Sequence, residues 1–202
     1  MSQSYRTIKI KGESLHKVKG SKHFGYAMHV RDEEEVAAQL ESLRKEHHGA
    51  RHHCYAWRLG RGGERERAND DGEPGNSAGK PILGQIHRYD LTDTLVVVVR
   101  YFGGTKLGVG GLIDAYRTAA QEAIANAQIL ERNILAHYKL SMPYGCMGEV
   151  EKLLRMAGWE IDDISMQEVC TMRLAIEQEK DEQLREMMSR FDDLRIDFIG
   201  MH

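Results

Sequence analysis

The run Leu95-Val96-Val97-Val98-Val99, between Thr94 and Arg100, is apolar at every position. It predicts a strand buried on both faces in the middle of a sheet. Other segments alternate instead. Ala136, Tyr138, Leu140 and Met142 interleave with His137, Lys139 and Ser141, and Cys170, Met172, Leu174 and Ile176 with Thr171, Arg173 and Ala175. That is the period of a strand with one wet face. Met147, Val150, Leu153, Leu154 and Ala157 recur at helical spacing with Gly158 as a stop, and Leu184, Met187, Met188 and Phe191 outline a second helix. With short strands over Trp159 to Met166 and Leu194 to Phe198, the order from residue 136 is β-α-β-β-α-β, the split pattern of a ferredoxin-like sandwich.

Residues 1 to 135 predict a different unit. Strands are expected over Tyr5 to Lys11, Phe24 to Val30 and His52 to Leu59. Asp32 and Glu35 have the spacing of a capping box, and Val36, Leu40 and Leu43 share one face of the helix that follows, to about His47. Pro81 to Tyr89 reads as a short helix. From Gly111, the set Leu112, Tyr116, Ala119, Ala120, Ala123 and Ala127 describes a helix whose small-residue face predicts close packing over the Val96 to Val99 strand. The expected fold class is α+β in two domains, 1–135 and 136–202.

Composition narrows the class. The chain has 202 residues, 41% hydrophobic and 29% charged, with 28 Lys+Arg against 31 Asp+Glu, which excludes collagen-like, disordered and strongly basic proteins. The longest apolar run is far short of the ~18 residues of a membrane span. The start Met1-Ser2-Gln3-Ser4-Tyr5-Arg6 lacks an apolar signal core. Cys54, Cys146 and Cys170 form no C-x-x-C pair, so neither a disulfide framework nor a thiol zinc site is expected, and a reducing, cytoplasmic location is. The balanced total hides a split: residues 1–135 hold 20 Lys+Arg and 17 Asp+Glu, against 8 and 14 in 136–202.

Twenty glycines stand against three prolines, and eleven of the glycines fall in two stretches. The first surrounds Asn69-Asp70-Asp71-Gly72-Glu73-Pro74-Gly75-Asn76-Ser77-Ala78-Gly79-Lys80-Pro81, an aperiodic loop long enough to suggest function. Asp70, Asp71 and Glu73 are candidates to hold a cation or act as acid and base, and equally fit a plain turn. Lys80 and the backbone entering the next helix are candidates to face an anion. The second stretch is Arg100-Tyr101-Phe102-Gly103-Gly104-Thr105-Lys106-Leu107-Gly108-Val109-Gly110-Gly111. A buried strand, a glycine turn and a helix start form an anion-binding arrangement, with Arg100 and Lys106 as phosphate ligands and Tyr101 or Phe102 as a stacking face. Close packing and positive φ explain the same glycines without a ligand, and the dinucleotide fingerprint fails at Ile113.

Other signals are weaker. His47, His48, His52 and His53 beside Cys54 invite a metal reading, but neighbours on a strand point to opposite faces and no zinc spacing occurs, so no metal is expected. Ser4 to Arg31 holds seven Lys/Arg (6, 9, 11, 17, 19, 22, 31) and one acid, Glu13, which suits either phosphate contact or a strand edge kept basic against aggregation. There is no G-x-S-x-G elbow.

Asn69-Asp70-Asp71-Gly72-Glu73-Pro74, Ala78-Gly79-Lys80-Pro81-Ile82-Leu83, Val98-Val99-Arg100-Tyr101-Phe102-Gly103-Gly104-Thr105-Lys106-Leu107-Gly108, His53-Cys54-Tyr55-Ala56 and Gly110-Gly111-Leu112-Ile113-Asp114-Ala115-Tyr116 together resemble the signature of the IMPACT/YigZ family, an uncharacterised family in bacteria. The resemblance covers essentially the whole chain. It implies an amino-terminal domain like the second domain of ribosomal small-subunit protein five and a ferredoxin-like carboxyl-terminal domain, a pair similar to domains four and five of elongation factor G. The chain departs from the pattern at Asn76-Ser77, where Ser-Gly-Thr around Gly75 is usual, and at Asp114, where a basic residue is common. Eukaryotic members of the family act in translational control by competing for the activator of a stress-responsive kinase, and they carry a different additional domain. The resemblance therefore implies a translation-linked binding role.

The expected function is a cytoplasmic, non-enzymatic regulator that binds RNA, the ribosome or a translation-associated protein through Lys80, Arg100, Tyr101, Gly103, Gly104, Lys106, Gly108 and Gly110. No cofactor and no membrane partner are expected. Two alternatives stand beside it: a phosphate- or nucleotide-handling enzyme using Asp70, Asp71 and Glu73, and a protein-interaction module docking through the acidic carboxyl-terminal domain.

Overall fold

The computed structural model of the chain describes residues 4–60 and 62–201. They divide into two units, Ser4–Arg132 and the chain from Asn133 onward. The first contains β1 (Ser4–Ile10), β2 (Gly12–Val18), β3 (Ser21–His29), α1 (Glu33–Glu46), β4 (His52–Leu59), β5 (Arg65–Asn69), α2 (Gly79–Arg88), β6 (Thr94–Tyr101), α3 (Gly108–Ala125) and β7 (Gln128–Asn133). The second contains β8 (Leu135–Met142), α4 (Tyr144–Met156), β9 (Ile161–Met166), β10 (Cys170–Glu177), α5 (Asp181–Met188) and β11 (Arg195–Met201). The class is α+β.

The first unit is built on an antiparallel five-stranded sheet, β2-β3-β6-β4-β5. Its middle strand is β6, buried from Thr94 through Arg100. Both faces of that strand are dry for a visible reason. Leu95, Val97 and Val99 pack with Tyr55 and Trp57 against Val36, Leu40 and Leu43 of α1. Val96 and Val98 pack with Cys54 and Ala56 against Ile82 and Ile86 of α2 and Leu112 and Tyr116 of α3.

Helix α3 does not lie chiefly over β6, as its alanine face suggested, but over β2 and β3. Two glycines explain the shift. A β-carbon on Gly12 would fall 2.1 Å from the Ala123 carbonyl oxygen, and one on Gly25 would fall 2.5 Å from that of Ala119. Only bare backbone lets the helix sit this close, and Ser14 adds a hydroxyl bond to the Ala119 carbonyl at 2.7 Å. The β4 side is filled by α2.

Strands β2, β5 and β7 have no counterpart in the expected elements. Gly-Glu-Ser-Leu-His-Lys-Val and Arg-Glu-Arg-Ala-Asn carry too few apolar residues to show a period. Both are outer strands of the sheet, where polar side chains discourage pairing with other molecules. At the tip of the β2–β3 hairpin, Lys19 and Gly20 take φ of 45° and 80°, the two left-handed residues of a type I′ turn. At the start of α1, Asp32 accepts from the Glu35 backbone N–H at 2.8 Å. Glu35 reaches back one residue further than a capping box requires, to the Arg31 backbone N–H at 2.9 Å.

The second unit has strand order β11-β8-β10-β9, antiparallel throughout. This is the ferredoxin-like arrangement. Ala136, Tyr138, Leu140 and Met142 of β8 and Cys170, Met172, Leu174 and Ile176 of β10 form one buried face, covered by Val150 and Leu154 of α4 and Leu184 and Met188 of α5.

Candidate functional site

The loop between β5 and α2 is organised by Asp70. One carboxylate oxygen accepts the backbone N–H groups of Ala78 at 2.9 Å and Gly79 at 2.8 Å, and the other accepts Asn76 N–H at 2.8 Å. Helix α2 has no side-chain bond from its own N-cap, Ala78, so Asp70 does that work from across the loop. Burial alone would raise the Asp70 pKa, but the three donated N–H groups outweigh it and hold the carboxyl below its ordinary range. Asn69 accepts Asp71 N–H at 2.7 Å, and the Ser77 hydroxyl donates to the Pro74 carbonyl at 2.6 Å. Asn76 has φ of 64°, a left-handed conformation that asparagine accepts more readily than most residues.

The three carboxylates then part. Asp71 accepts His53 N–H at 2.7 Å. Glu73 turns inward, its Oε1 lying 2.6 Å from Arg100 Nη1 and 2.8 Å from Tyr116 Oη, which donates to it. Each acid therefore has its own partners, and the three do not face a common cation or form an acid–base pair. Among the described residues no group of three or more His, Cys, Asp or Glu is placed to hold a metal ion.

Arg100 ends the buried stretch of β6, and its direct cross-strand neighbours are His23 of β3 and His52 of β4. His52 Nδ1 donates to the Asp71 carbonyl at 2.9 Å. The His23 ring packs edge-on to Tyr116, centroids 5.3 Å apart, and neither of its nitrogens has a hydrogen-bond partner. Burial first, then the Arg100 charge, lowers its pKa to about 4. Cys54 Sγ lies 3.0 Å from the Asp70 carbonyl and 3.3 Å from Tyr116 Oη. Burial pushes its thiol well above the ordinary value, so Cys54 is an inert core thiol. The composition hints nothing of this network. Its one signal is Arg100 itself, because an arginine continuing a strand buried on both faces needs a carboxylate close by.

Arg100, expected as a phosphate ligand, is therefore an internal cation committed to Glu73, with side chains 7% and 5% exposed. Tyr101 is also redirected. Its side chain faces the α1 side, 3.0 Å from His47 Nδ1 and edge-on to Phe24. The exposed ring is Phe102, 58% accessible. It stands between two clefts that share it and Arg100: one of about 320 Å³ with Glu73, Lys106, Leu107, Gly108 and Val109, and one of about 390 Å³ with Gly49, Arg51, His52 and Tyr101. Gly104, Gly108 and Gly110 face open space. Helix α3 starts without a side-chain cap and without an acid in its first turn. Asp114 lies one turn on and is paired with Arg117 at 2.7 Å. Lys80 is exposed on α2 and lines neither cleft.

The basic hairpin meets this edge. Gly103 N–H donates to the Ser21 hydroxyl at 3.1 Å, so the glycine loop is tied to the turn carrying Lys19. Lys17, Lys19, Lys22 and Lys106 are all exposed.

Residues 19–124 match the Impact N-terminal domain. The chain belongs to the IMPACT family. It is 32% identical over 197 residues to the IMPACT family member YvyE of Bacillus subtilis (strain 168), covering 98% of this chain and 91% of that one. It is 34% identical over 164 residues to the IMPACT family member YigZ of Escherichia coli (strain K12), covering 80% of each. The Protein IMPACT homolog of Saccharomyces cerevisiae is 33% identical over 114 residues, 54% of this chain and 43% of that protein. A crystal structure of a hypothetical protein is similar over 99% of both chains, with a TM-score of 0.73 and 28% identity. No helix among the described residues of this IMPACT family chain is long and apolar enough to cross a membrane.

Proposed function

We propose that the chain is a cytoplasmic, non-enzymatic regulator linked to translation, which binds RNA through the edge formed by the β2–β3 hairpin and the glycine loop after β6. The observation that carries this reading is a pair of like charges. Lys17 and Lys22 are direct cross-strand partners, and Lys19 occupies the turn between them. Like charges opposite one another destabilise a hairpin, and an anionic ligand turns that cost into affinity. Ser21 of the same hairpin holds Gly103, which brings Lys106, the uncapped start of α3 and the exposed Phe102 onto the same edge. Cations around a bare helix start suit phosphates, and neighbouring aromatic rings suit bases. The link to translation is taken from the role that the family resemblance implies for eukaryotic members, and the yeast Protein IMPACT homolog is among this chain's relatives.

The test is fluorescence anisotropy with a labelled oligoribonucleotide, titrated between about 50 and about 200 mM salt. Four lysine–phosphate contacts on a single strand give a log–log salt slope near −2.8, and each Lys→Ala at 17, 19, 22 or 106 flattens it by about 0.7. Binding that ignores salt, or no binding at the lowest salt, removes the reading.

A further inference from the structure

We infer that the RNA taken by this edge is single-stranded, with one unpaired base laid on Phe102 and its flanking phosphates running into the two clefts on either side. The inference rests on the RNA-binding reading above and goes beyond it in naming the form of the ligand. Phe102 is a large apolar ring left 58% accessible, while the chain is held in place before and after it. Arg100 is locked to Glu73 and lies with its guanidinium carbon 5.6 Å from the Phe102 ring centre. Gly103 is pinned by the hairpin, where a β-carbon on it would fall 1.9 Å from the Gly20 carbonyl carbon. A ring held outward by its backbone gives up little freedom when a base stacks on it.

The surroundings match a strand that passes the ring. The smaller cleft offers Lys106 and the backbone at the start of α3, and the larger offers Arg51. Cation, aromatic face, cation is the sequence of contacts that a single strand meets in sequence-tolerant binding sites. Paired bases in an A-form duplex are stacked on each other behind a deep, narrow major groove. Phe102 has no base face to reach there, and a duplex meets the lysines alone.

The experiment compares a single-stranded oligoribonucleotide with the duplex of the same sequence on the full chain, for the parent protein, Phe102→Ala, Phe102→Leu and Phe102→Trp. Circular dichroism verifies the fold of each variant. Expected is tighter binding of the single strand than of the duplex. Phe102→Ala and Phe102→Leu should each lose about 5- to 150-fold on the single strand, with no change in duplex affinity or salt slope. Phe102→Trp should keep or raise affinity. Equal affinity for both forms, or undiminished single-strand binding by Phe102→Ala while Lys17→Ala still weakens it, overturns the inference and leaves the phosphate contact standing. If neither form binds at low salt, the RNA-binding reading and this inference fall together.

Discussion

Gly20 and Gly103 touch through bare backbone: a β-carbon on Gly103 would lie 1.9 Å from the Gly20 carbonyl carbon and 2.2 Å from Ser21 N. This contact joins the lysine-rich β2–β3 hairpin to the glycine loop, two segments more than eighty positions apart in sequence. Gly20 also has φ of 80°, so each partner of the contact demands glycine, one for space and one for conformation as well.

Replacing Gly103 by alanine should therefore both destabilise the domain and detach the loop from the hairpin. Overpacking of this kind costs about 1–3 kcal/mol, and backbone atoms on the opposing side have little room to yield. Urea unfolding of Gly103→Ala should show a lower midpoint with an unchanged slope. Gly104→Ala makes the contrast: its β-carbon meets nothing within 4 Å, but its φ of 90° adds conformational strain, so it should be destabilised without loosening the hairpin. Faster exchange of the Gly103 amide, which donates to Ser21, distinguishes the two variants. Equal protection in both would remove the clamp.

Asp70 should behave as a remote helix cap. Asp70→Ala leaves the N–H groups of Asn76, Ala78 and Gly79 without their acceptor, at a cost of about 1–3 kcal/mol at neutral pH. The sign with pH follows from the depressed carboxyl. Its contribution is full above the unfolded value of about 4 and fades as pH falls through the lower folded value. The stability gap between parent and Asp70→Ala, measured by urea titration, should thus be constant from neutral pH to about 5 and narrow in stronger acid. A gap that widens on acidification is incompatible with this role.

Much of the architecture was legible because burial imposes a period. The alternation of β8 and β10 and the unbroken run of β6 carried the ferredoxin-like unit and the central strand directly. Strands β2 and β5 were invisible because edge strands are chosen to be polar, and only their pairing partners define them. At the site, the two glycine loops were legible as places but not as roles. Asp70, Asp71 and Glu73 look alike within four residues of sequence, yet the left-handed turn at Asp71 and Gly72 sends one to a helix start, one to the His53 backbone and one into the core. Tyr101 and Phe102 could not be ranked from sequence as stacking residues. The pleat decides, placing Tyr101 against His47 and leaving Phe102 outside.

Glu73 and Arg100 should prove to be an internal strut whose single removal is costly and whose joint removal is mild. Glu73→Leu strands the Arg100 charge and takes the acceptor from Tyr116, and breaking such a buried pair costs about 3–5 kcal/mol. Arg100→Met strands Glu73 in the same way. The double variant leaves no unpaired charge, and its loss should fall well below the sum of the two single losses, by at least 1–3 kcal/mol, in a double-mutant cycle. Additive losses would mean that the two side chains do not depend on each other.

His23 should set part of the acid sensitivity of the first domain. Its ring is fully buried, has no hydrogen-bond partner for either nitrogen and stands beside Arg100, so the folded protein holds it neutral with a pKa of about 4. His16 adds a further like charge, and Glu73 opposes both. In the unfolded chain the same imidazole takes up a proton near pH 6.5. Between pH 6.5 and 4 the unfolded state therefore binds more protons, and stability falls as pH drops through that window. His53, also lowered by burial, adds to the slope. His23→Phe keeps the edge-on packing against Tyr116 and leaves no unsatisfied nitrogen, so it should be neutral or stabilising at pH 7. Its denaturation midpoint should decline less than the parent's between pH 7 and about 4.5. An unchanged decline would show that the acid sensitivity arises elsewhere.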